Sequence, residues 1–281
     1  GATKKMTKYL IFGKGYLGNK FNEFLEESIL SGARINSVED VKIEIKKYNP
    51  EFIINCAGKT GKPNVDWCEK NKIETLQGNI LVPTYMAIAC KELNKKMVNI
   101  GSGCIYSGIQ EGQSFTEEDV PNFEGSYYSR TKFISEKILS DFDTLLIRLR
   151  MPIDGRPGPR NLLTKLLRYK QIVNIPNSIT VIDDLLSITK QLMDKNQTGI
   201  FNVVNKNPIT HGELLKIYEE ISNKKLDYEL IDPESLDQIT LAGRSNCVLS
   251  TEKLENLGIE VPETRDALKK CITQYVGEES K

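Results

Sequence analysis

The chain has 281 residues, 39% hydrophobic and 27% charged, an ordinary composition for a globular protein with a full core. Its 38 basic and 38 acidic residues give a net charge of zero, which argues against broad binding to nucleic acid or anionic membranes. No apolar run is as long as a membrane span, and the six cysteines form neither a CxxC pair nor a metal cluster, so we expect a cytoplasmic protein with reduced thiols.

The first half of the chain alternates apolar runs with stretches of helical periodicity. The predicted elements are buried strands at 8–12, 51–55, 96–100 and 145–149, a short strand at 28–34, and helices at 41–48, 79–93 and after Ser126. Alternating strands and helices pack as a parallel sheet with helices on both faces. The predicted fold class is therefore α/β, with residues 1–150 forming a Rossmann-type doubly wound sheet.

The alternation ends after Arg150. Residues 151–159 are rich in proline and glycine and predict a loop, followed by helices at 161–169 and 183–195 and a strand at 199–204. A capping box from Thr210 to Glu213 predicts a helix start, where the single histidine, His211, would be structural. We expect residues 151–281 to form mainly a smaller substrate-binding lobe, with the strand near 199–204 returning to the sheet.

A GxGxxG motif follows the first predicted strand and opens the first predicted helix. Its glycines would let the backbone approach a pyrophosphate, whose charge is favoured by the N-terminus of a helix. A plain tight turn is the alternative, but the position on the first strand–helix turn favours a dinucleotide site. The cofactor-binding residues expected in this loop are Gly13, Lys14, Gly15, Tyr16, Leu17 and Gly18.

The region after the second predicted strand lacks the acidic residue that usually holds the ribose of NAD. Arg34 stands near that place, and an arginine suits a 2′-phosphate, so NADP(H) is the expected cofactor. A surface arginine is the alternative. The third predicted strand ends at Cys56, Ala57 and Gly58, where ligands lie in such sheets, and these residues are assigned to the cofactor site as well.

Ser102, Tyr128 and Lys132 form a candidate set for carbonyl chemistry. Ser102 closes a buried strand, while Tyr128 and Lys132 are four residues apart in a predicted helix and project from one face. A lysine ammonium beside a tyrosine favours release of the phenolic proton, so the phenol can pass a proton near neutral pH. Tyr16 and Lys20 have the same spacing, but they follow the glycine loop and would be structural.

Cys104 follows Ser102 by two residues and would place a thiol beside the same carbonyl. A small buried cysteine is the alternative, and a catalytic thiol would need activation by cations. Because the chain has one histidine, acid–base work falls to other side chains. The polar segment 58–69 is expected to line the site, and the candidates for binding a nucleotide diphosphate are Arg156, Arg160 and Arg244.

Longer blocks of sequence resemble one family over nearly the whole chain. They are similar to extended short-chain dehydrogenases/reductases and, more narrowly, to the UDP-rhamnose-forming 3,5-epimerase/4-reductases of plants and giant viruses. The glycine loop departs from this family, because it is one residue shorter than the usual GxxGxxG. The blocks are Asn55-Cys56-Ala57-Gly58, Gly61-Lys62-Pro63-Asn64-Val65-Asp66-Trp67-Cys68-Glu69, Gly103-Cys104-Ile105, Tyr128-Ser129-Arg130-Thr131-Lys132, Arg150-Met151-Pro152-Ile153, Pro159-Arg160-Asn161, Ile175-Pro176-Asn177-Ser178 and Arg244-Ser245-Asn246.

The resemblance implies residue roles and partners. Ser102 (a threonine in plant members), Tyr128 and Lys132 would serve the reduction, and Cys104 and Lys165 would be the acid and base of epimerisation. It also implies a UDP-sugar substrate, a homodimer and a separate 4,6-dehydratase that supplies the keto-sugar, since the dehydratase domain that plants often fuse upstream is lacking here. The expected substrate-binding residues are Lys62, Asn64, Asn79, Ser102, Arg160, Asn161 and Arg244.

The expected activity is 3,5-epimerisation and NADPH-dependent 4-reduction of UDP-4-keto-6-deoxy-D-glucose to UDP-β-L-rhamnose. One alternative is a simple 4-reductase that resembles dTDP-4-dehydrorhamnose reductase. Another is a non-catalytic NADP-binding regulatory subunit, like that of methionine adenosyltransferase. The residues themselves do not separate UDP from dTDP or GDP, nor do they tell whether Cys104 or Lys165 removes the proton.

Overall fold

The computed structural model describes residues 6–61, 64–108, 114–237 and 244–281. In its first part the elements are β1 (Tyr9–Phe12), α1 (Tyr16–Phe24), β2 (Ser28–Ser31), α2 (Val38–Tyr48), β3 (Phe52–Asn55), α3 (Asp66–Lys70), α4 (Lys72–Leu76), a π-helical turn (Gln77–Leu81), α5 (Val82–Leu93), β4 (Lys96–Ser102), α6 (Tyr127–Leu139) and β5 (Thr144–Leu149). The later elements are β6 (Pro152–Ile153), α7 (Leu162–Leu166), β7 (Gln171–Val173), β8 (Thr180–Val181), α8 (Ile182–Asp194), β9 (Gly199–Asn202), α9 (His211–Ser222), β10 (Glu229–Ile231), α10 (Pro233–Asp237), α11 (Glu252–Asn256) and α12 (Thr264–Glu279).

A six-stranded sheet with the order β2-β1-β3-β4-β5-β9 forms the centre of the fold. The strand β1 pairs in parallel with both β2 and β3, and β3 pairs in parallel with β4. The strands β1 and β3 are buried along their whole length, because helices cover both faces of a doubly wound sheet. The strand order reverses between β1 and β3, and ligands of such sheets bind beyond the carboxyl ends of the strands at this point. The predicted α/β class is confirmed.

Two compact units divide the chain, and each is built from three segments. The first unit comprises residues up to 101 together with 126–147 and 193–200. Its core packs apolar side chains of the sheet against α2 and α5, which carry their buried residues on one face. The fully buried members of this core include Leu10, Val41, Ile45, Ile53, Met86 and Leu139.

The second unit comprises residues 102–125, 148–192 and 201–281. Its core joins α7, α9 and α12 with two small parallel pairs, β6 with β8 and β7 with β10. The fully buried members of this core include Ile153, Leu163, Ile179, Leu214, Leu268 and Ile272. None of the helices in the described ranges is both long and apolar enough to cross a membrane.

Several element boundaries differ from the sequence prediction. The helix predicted at 79–93 is a π-helical turn followed by α5, and the helix predicted at 161–169 ends at Leu166. The predicted loop 151–159 contains the short strand β6, and α12 was not predicted. The predicted capping box is confirmed: Thr210 and Glu213 cap each other's backbone at the start of α9.

Candidate active site

The loops after β1 and β3 approach each other at Gly13, which has φ +102°. A Cβ atom on Gly13 would lie 2.5 Å from the backbone nitrogen of Ala57, and one on Gly18 would lie 1.8 Å from the carbonyl oxygen of Gly13. Neither position can hold a larger residue without moving backbone. Gly15, in contrast, precedes α1 and has open space where a Cβ would lie. The loop therefore exposes backbone at a helix N-terminus, as a bound pyrophosphate requires.

Lys14 extends from this loop to the end of β2. Its ammonium nitrogen lies 2.7 Å from where a Cβ of Gly32 would be, and Gly32 directly follows β2. Arg34, two residues further on, is exposed. Within the described part of the chain the Lys14 ammonium has no hydrogen bond or ion pair. Two cations thus stand where a dinucleotide's ribose is expected, which fits a 2′-phosphate.

Tyr128 and Lys132 lie on α6, whose start is fixed by Ser126. The Ser126 hydroxyl accepts a hydrogen bond from the backbone N–H of Ser129 at 3.0 Å. The Lys132 ammonium nitrogen is 5.7 Å from the centre of the Tyr128 ring, and it lies 3.1 Å from where a Cβ of Gly58 would be. The pair predicted from spacing therefore forms, and its lysine reaches the loop after β3.

Asn79 lies in the π-helical turn and is almost completely buried. Its side-chain oxygen accepts a hydrogen bond from the backbone N–H of Lys59 at 2.7 Å, and its amide donates to the Thr131 hydroxyl at 3.1 Å. Asn79 was expected to bind substrate, but both of its polar atoms are used by the protein. It ties the loop after β3 to α6, next to Lys132.

A buried amide pair that joins the end of β3 to the middle of β4 was not identified from the sequence. The side-chain amide of Asn55 donates to the side-chain oxygen of Asn99 at 2.9 Å, and the Asn55 oxygen accepts from the backbone N–H of Ala57 at 3.0 Å. Because buried polar groups cost free energy unless they are hydrogen-bonded, this pair fixes the turn that leads to Gly58. The signal was present, since each asparagine is a polar residue within a buried apolar strand.

In the second unit, Ser102 and Cys104 form a tight turn after β4. The backbone N–H of Cys104 donates to the Ser102 hydroxyl at 3.0 Å. Ser102 is 6% exposed and Cys104 is partly exposed. The Cys104 sulfur accepts a hydrogen bond from a guanidinium nitrogen of Arg150 at 3.4 Å. The thiol is thus within reach of a ligand and is held by a cation that sequence reasoning did not single out.

Lys165 lies on α7 and is partly buried. Burial lowers the pKa of Lys165 below its ordinary value, the nearby Arg160 lowers it further, and Cys104 raises it. An ammonium group whose proton is held less tightly than usual can exchange that proton near neutral pH. Cys104 and Lys165, expected from resemblance to act together, therefore belong to one electrostatic cluster.

The other predicted site residues have varied surroundings. Asn161 is fully buried and caps α7, accepting from the backbone N–H of Leu163 and donating to the carbonyl groups of Asp154 and Arg156. The side-chain oxygen of Asn64 accepts a hydrogen bond from the backbone N–H of Asp66, the first residue of α3. Arg160 and Arg244 are partly exposed and Arg156 is exposed, while Lys62 lies outside the described residues.

His211 is electrically neutral at physiological pH. Burial and, to a smaller extent, the charge of Arg150 lower the pKa of His211 to about 4. Its place at the first position of α9 agrees with the structural role predicted for it.

Comparison with known proteins identifies the family. The model of the RmlD substrate binding domain matches residues 9–276, which is nearly the whole chain. The chain belongs to the RmlD family. Among curated relatives of this RmlD protein is the bifunctional dTDP-4-dehydrorhamnose 3,5-epimerase/dTDP-4-dehydrorhamnose reductase of Arabidopsis thaliana, which is 34% identical over 100% of this chain and 96% of the relative.

A second Arabidopsis relative has three activities in its name, UDP-glucose 4,6-dehydratase, UDP-4-keto-6-deoxy-D-glucose 3,5-epimerase and UDP-4-keto-L-rhamnose-reductase. It is 36% identical, and the RmlD protein described here spans 43% of its length. The crystal structure of the L780 UDP-rhamnose synthase from Acanthamoeba polyphaga mimivirus matches with a TM-score of 0.91 and 31% identity, over 96% of this chain and 99% of that one. A dTDP-4-dehydrorhamnose reductase from Clostridium acetobutylicum has a TM-score of 0.84 at 22% identity and shares the fold.

Proposed function

We propose that the protein is a bifunctional enzyme that epimerises UDP-4-keto-6-deoxy-D-glucose at C3 and C5 and reduces C4 with NADPH, giving UDP-β-L-rhamnose. The observation that carries the proposal is the cluster of Cys104 and Lys165, because a simple carbonyl reductase needs neither group. The names of the plant relatives that join epimerase and reductase activities support the same conclusion.

Epimerisation uses the acidity of the protons beside the ketone. The C4 carbonyl withdraws electrons from C3 and C5, so a base can remove a proton there and an acid can return one on the opposite face. Cys104 and Lys165 are assigned to these two roles. Hydrogen-bond donors at the carbonyl oxygen stabilise the enolate charge as it develops, and Ser102 and Tyr128 are assigned to donate them.

Reduction uses the pair on α6. When bound, NADPH supplies the hydride that reduces the C4 carbonyl carbon. The phenol of Tyr128 donates its proton to the carbonyl oxygen. The ammonium of Lys132, 5.7 Å from the Tyr128 ring, compensates the negative charge left on the phenolate and is assigned to the nicotinamide ribose.

The residues of the first unit fit this cofactor. The loop from Gly13 to Gly18 offers backbone without side chains, and Gly58 lies beside Lys132. Lys14 and Arg34 are assigned to the 2′-phosphate, which separates NADP from NAD. The remaining cofactor contacts are assigned to Tyr16, Leu17, Cys56 and Ala57, and those to the UDP-sugar to Lys62, Asn64, Arg160 and Arg244.

A homodimer in the cytoplasm is proposed. In the first unit, Ile73 and Leu76 on α4 and Ile134 on α6 are exposed by 73%, 37% and 45%, and α4 contacts α6, so an apolar surface is available for a second copy. All six cysteines are free, as in a reducing compartment. The substrate is the product of a 4,6-dehydratase, here assigned to a separate enzyme.

The decisive experiment is incubation with UDP-4-keto-6-deoxy-D-glucose and NADPH, with the product read by NMR. A second incubation in heavy water without NADPH measures deuterium uptake at C3 and C5. We expect UDP-β-L-rhamnose in the first and deuterium at both carbons in the second. Reduction without uptake would establish a simple 4-reductase instead. Lack of NADPH oxidation with any nucleotide keto-sugar would favour a regulatory subunit. Uptake that persists in Cys104→Ala would refute the role of the thiol.

A further inference from the structure

Arg150 is a fully buried cation that follows β5 directly. It is 0% exposed. One terminal guanidinium nitrogen donates to the Ser245 hydroxyl at 3.1 Å and to the Cys104 sulfur at 3.4 Å. The other donates to the side-chain oxygen of Asn177 at 2.7 Å and to the Ser245 carbonyl at 3.1 Å. These four bonds fix the plane and the position of the guanidinium.

The charge of Arg150 has no carboxylate partner among the described residues. Each of its partners other than Cys104 is a neutral hydroxyl, amide or carbonyl oxygen, and its Nε atom has no hydrogen bond within the described ranges. A buried cation without a counter-ion costs several kcal/mol, since water no longer solvates it. The free energy is lower if a neighbour becomes an anion. A thiolate is the anion that these contacts can supply.

Two cysteines lie near Arg150, and they differ in access. Cys247 is fully buried, burial raises the pKa of its thiol, and its sulfur contacts the carbonyl oxygen of Gly103 at 3.7 Å. It therefore stays a neutral thiol that serves packing. Cys104 is partly exposed and accepts directly from the guanidinium. Lys165 and Cys247 also interact electrostatically with Cys104, and the neutral His211 interacts with Arg150.

We propose that Arg150 is a positioning residue that holds Cys104 as the thiolate, so that Cys104 is the base and the Lys165 ammonium is the acid in epimerisation. The inference rests on the proposed function and settles a choice that the sequence leaves open. A base must carry a lone pair that is free to accept a proton, and Arg150 favours that form of the sulfur. Lys165, in contrast, begins with a proton to give.

The proton balance of one inversion follows from these roles. The thiolate takes the proton from the sugar carbon, so a C–H bond breaks, an S–H bond forms, and the electron pair moves into the enolate. A new C–H bond forms on the other face with a proton from the Lys165 ammonium. The enzyme then carries a thiol and a neutral amine. The Cys104 thiol then releases its proton to solvent, and the Lys165 amine takes one up. This restores the thiolate and the ammonium for the inversion at the second carbon.

The test compares two buried arginines that are two residues apart, Arg148 and Arg150. Arg148 is 1% exposed and donates to the Tyr106 hydroxyl at 2.8 Å, so Arg148→Gln removes a buried cation that is bonded to a different side chain. The variants are Arg150→Gln, Arg150→Lys and Arg148→Gln. Each is treated with iodoacetamide from pH 5 to 10, and alkylation of the Cys104 peptide is followed by mass spectrometry.

We expect Arg150→Gln to move the midpoint of Cys104 alkylation upward by about one pH unit or more, since an adjacent opposite charge has an effect of this size. Arg150→Lys is expected to restore part of the shift, while Arg148→Gln leaves the midpoint unchanged. Deuterium uptake without NADPH should fall at least about tenfold in Arg150→Gln at pH 7, in line with such a shift.

The outcomes separate this inference from the proposed function. An unchanged midpoint in Arg150→Gln, with NADPH binding and melting showing a folded protein, would overturn the role of Arg150 and leave the epimerase intact. If Arg150→Gln does not fold, Arg150→Lys decides: a smaller upward shift that Arg148→Gln does not show would support the role of Arg150, and an equal shift in Arg148→Gln would overturn it. No deuterium uptake by the wild-type enzyme would overturn the proposed function itself.

Discussion

Replacing Lys14 by alanine is expected to weaken the binding of NADPH and to leave the binding of NADH unchanged. The Lys14 ammonium lies 2.7 Å from where a Cβ of Gly32 would be, directly after β2, and has no partner within the described residues. A hydrogen bond to a charged group contributes about 1.5–3 kcal/mol, and an exposed lysine should give the lower value. Since about 1.4 kcal/mol corresponds to a factor of ten, the KM for NADPH should rise about tenfold.

The substitution Gly32→Asp is the opposite change, because it places a carboxylate beside the Lys14 ammonium. In Gly32→Asp the new side chain meets the flexible end of Lys14 rather than backbone, so the loop can accommodate it. The carboxylate would pair with the ammonium and accept from a free 2′-hydroxyl, while repelling a 2′-phosphate. We therefore expect a larger change in cofactor preference than in Lys14→Ala, with NADH becoming the better hydride donor.

The assay is the initial rate of keto-sugar reduction with each cofactor, reported as the ratio of kcat/KM for NADPH to that for NADH. Lys20→Ala is the matched control, because this lysine lies on α1 with its ammonium over the Tyr16 ring, 5.7 Å from the centroid. The control should keep the wild-type ratio. A ratio for Lys14→Ala within about twofold of wild type, which is less than 0.5 kcal/mol, would refute the assignment of Lys14.

Further predictions concern the glycine loop, the single histidine and the buried amides. Gly18→Ala should abolish NADPH binding by calorimetry, because its Cβ would lie 1.8 Å from the Gly13 carbonyl oxygen; retained affinity would contradict the loop geometry. The pKa of His211 is lowered to about 4 in the folded protein. The free energy of unfolding is therefore not reduced by this group above pH 6.5, and it falls as the pH drops toward 4. The loss is about 3 kcal/mol, and His211→Gln should flatten acid denaturation curves in this range. Asn55→Ala should lower the free energy of unfolding by about 1–3 kcal/mol through its unpaired partner Asn99, as urea denaturation would show.

The sequence predicts the sheet well because its central strands are strongly marked. The apolar runs near Ile11, Ile53 and Val98 are too short for a helix, and turn residues bound them, which favours buried strands. The second unit is harder to predict. Its pairs β6–β8 and β7–β10 have two or three residues per strand, and their pairing depends on tertiary contacts rather than on local pattern.

The site residues also differ in how well the sequence predicts them. Tyr128 and Lys132 are found from spacing because an α-helix brings residues four apart together. Arg150 could not be assigned to Cys104 from the sequence, since 46 positions separate them and only the folded chain brings them to 3.4 Å. Asn79 and Asn161 were assigned to the substrate from the resemblance, and resemblance does not tell whether an amide binds a ligand or the protein's own backbone.

The interleaving of the two units has a consequence for synthesis on the ribosome. The first unit needs residues 193–200, and the second begins at residue 102 and extends to the last helix. Domains made from one continuous segment can fold as soon as they leave the exit tunnel. Here the first unit stays incomplete until residue 200 has left the ribosome. Chaperones that shield exposed strand edges during translation should therefore matter more for this protein than for one whose two halves fold in sequence.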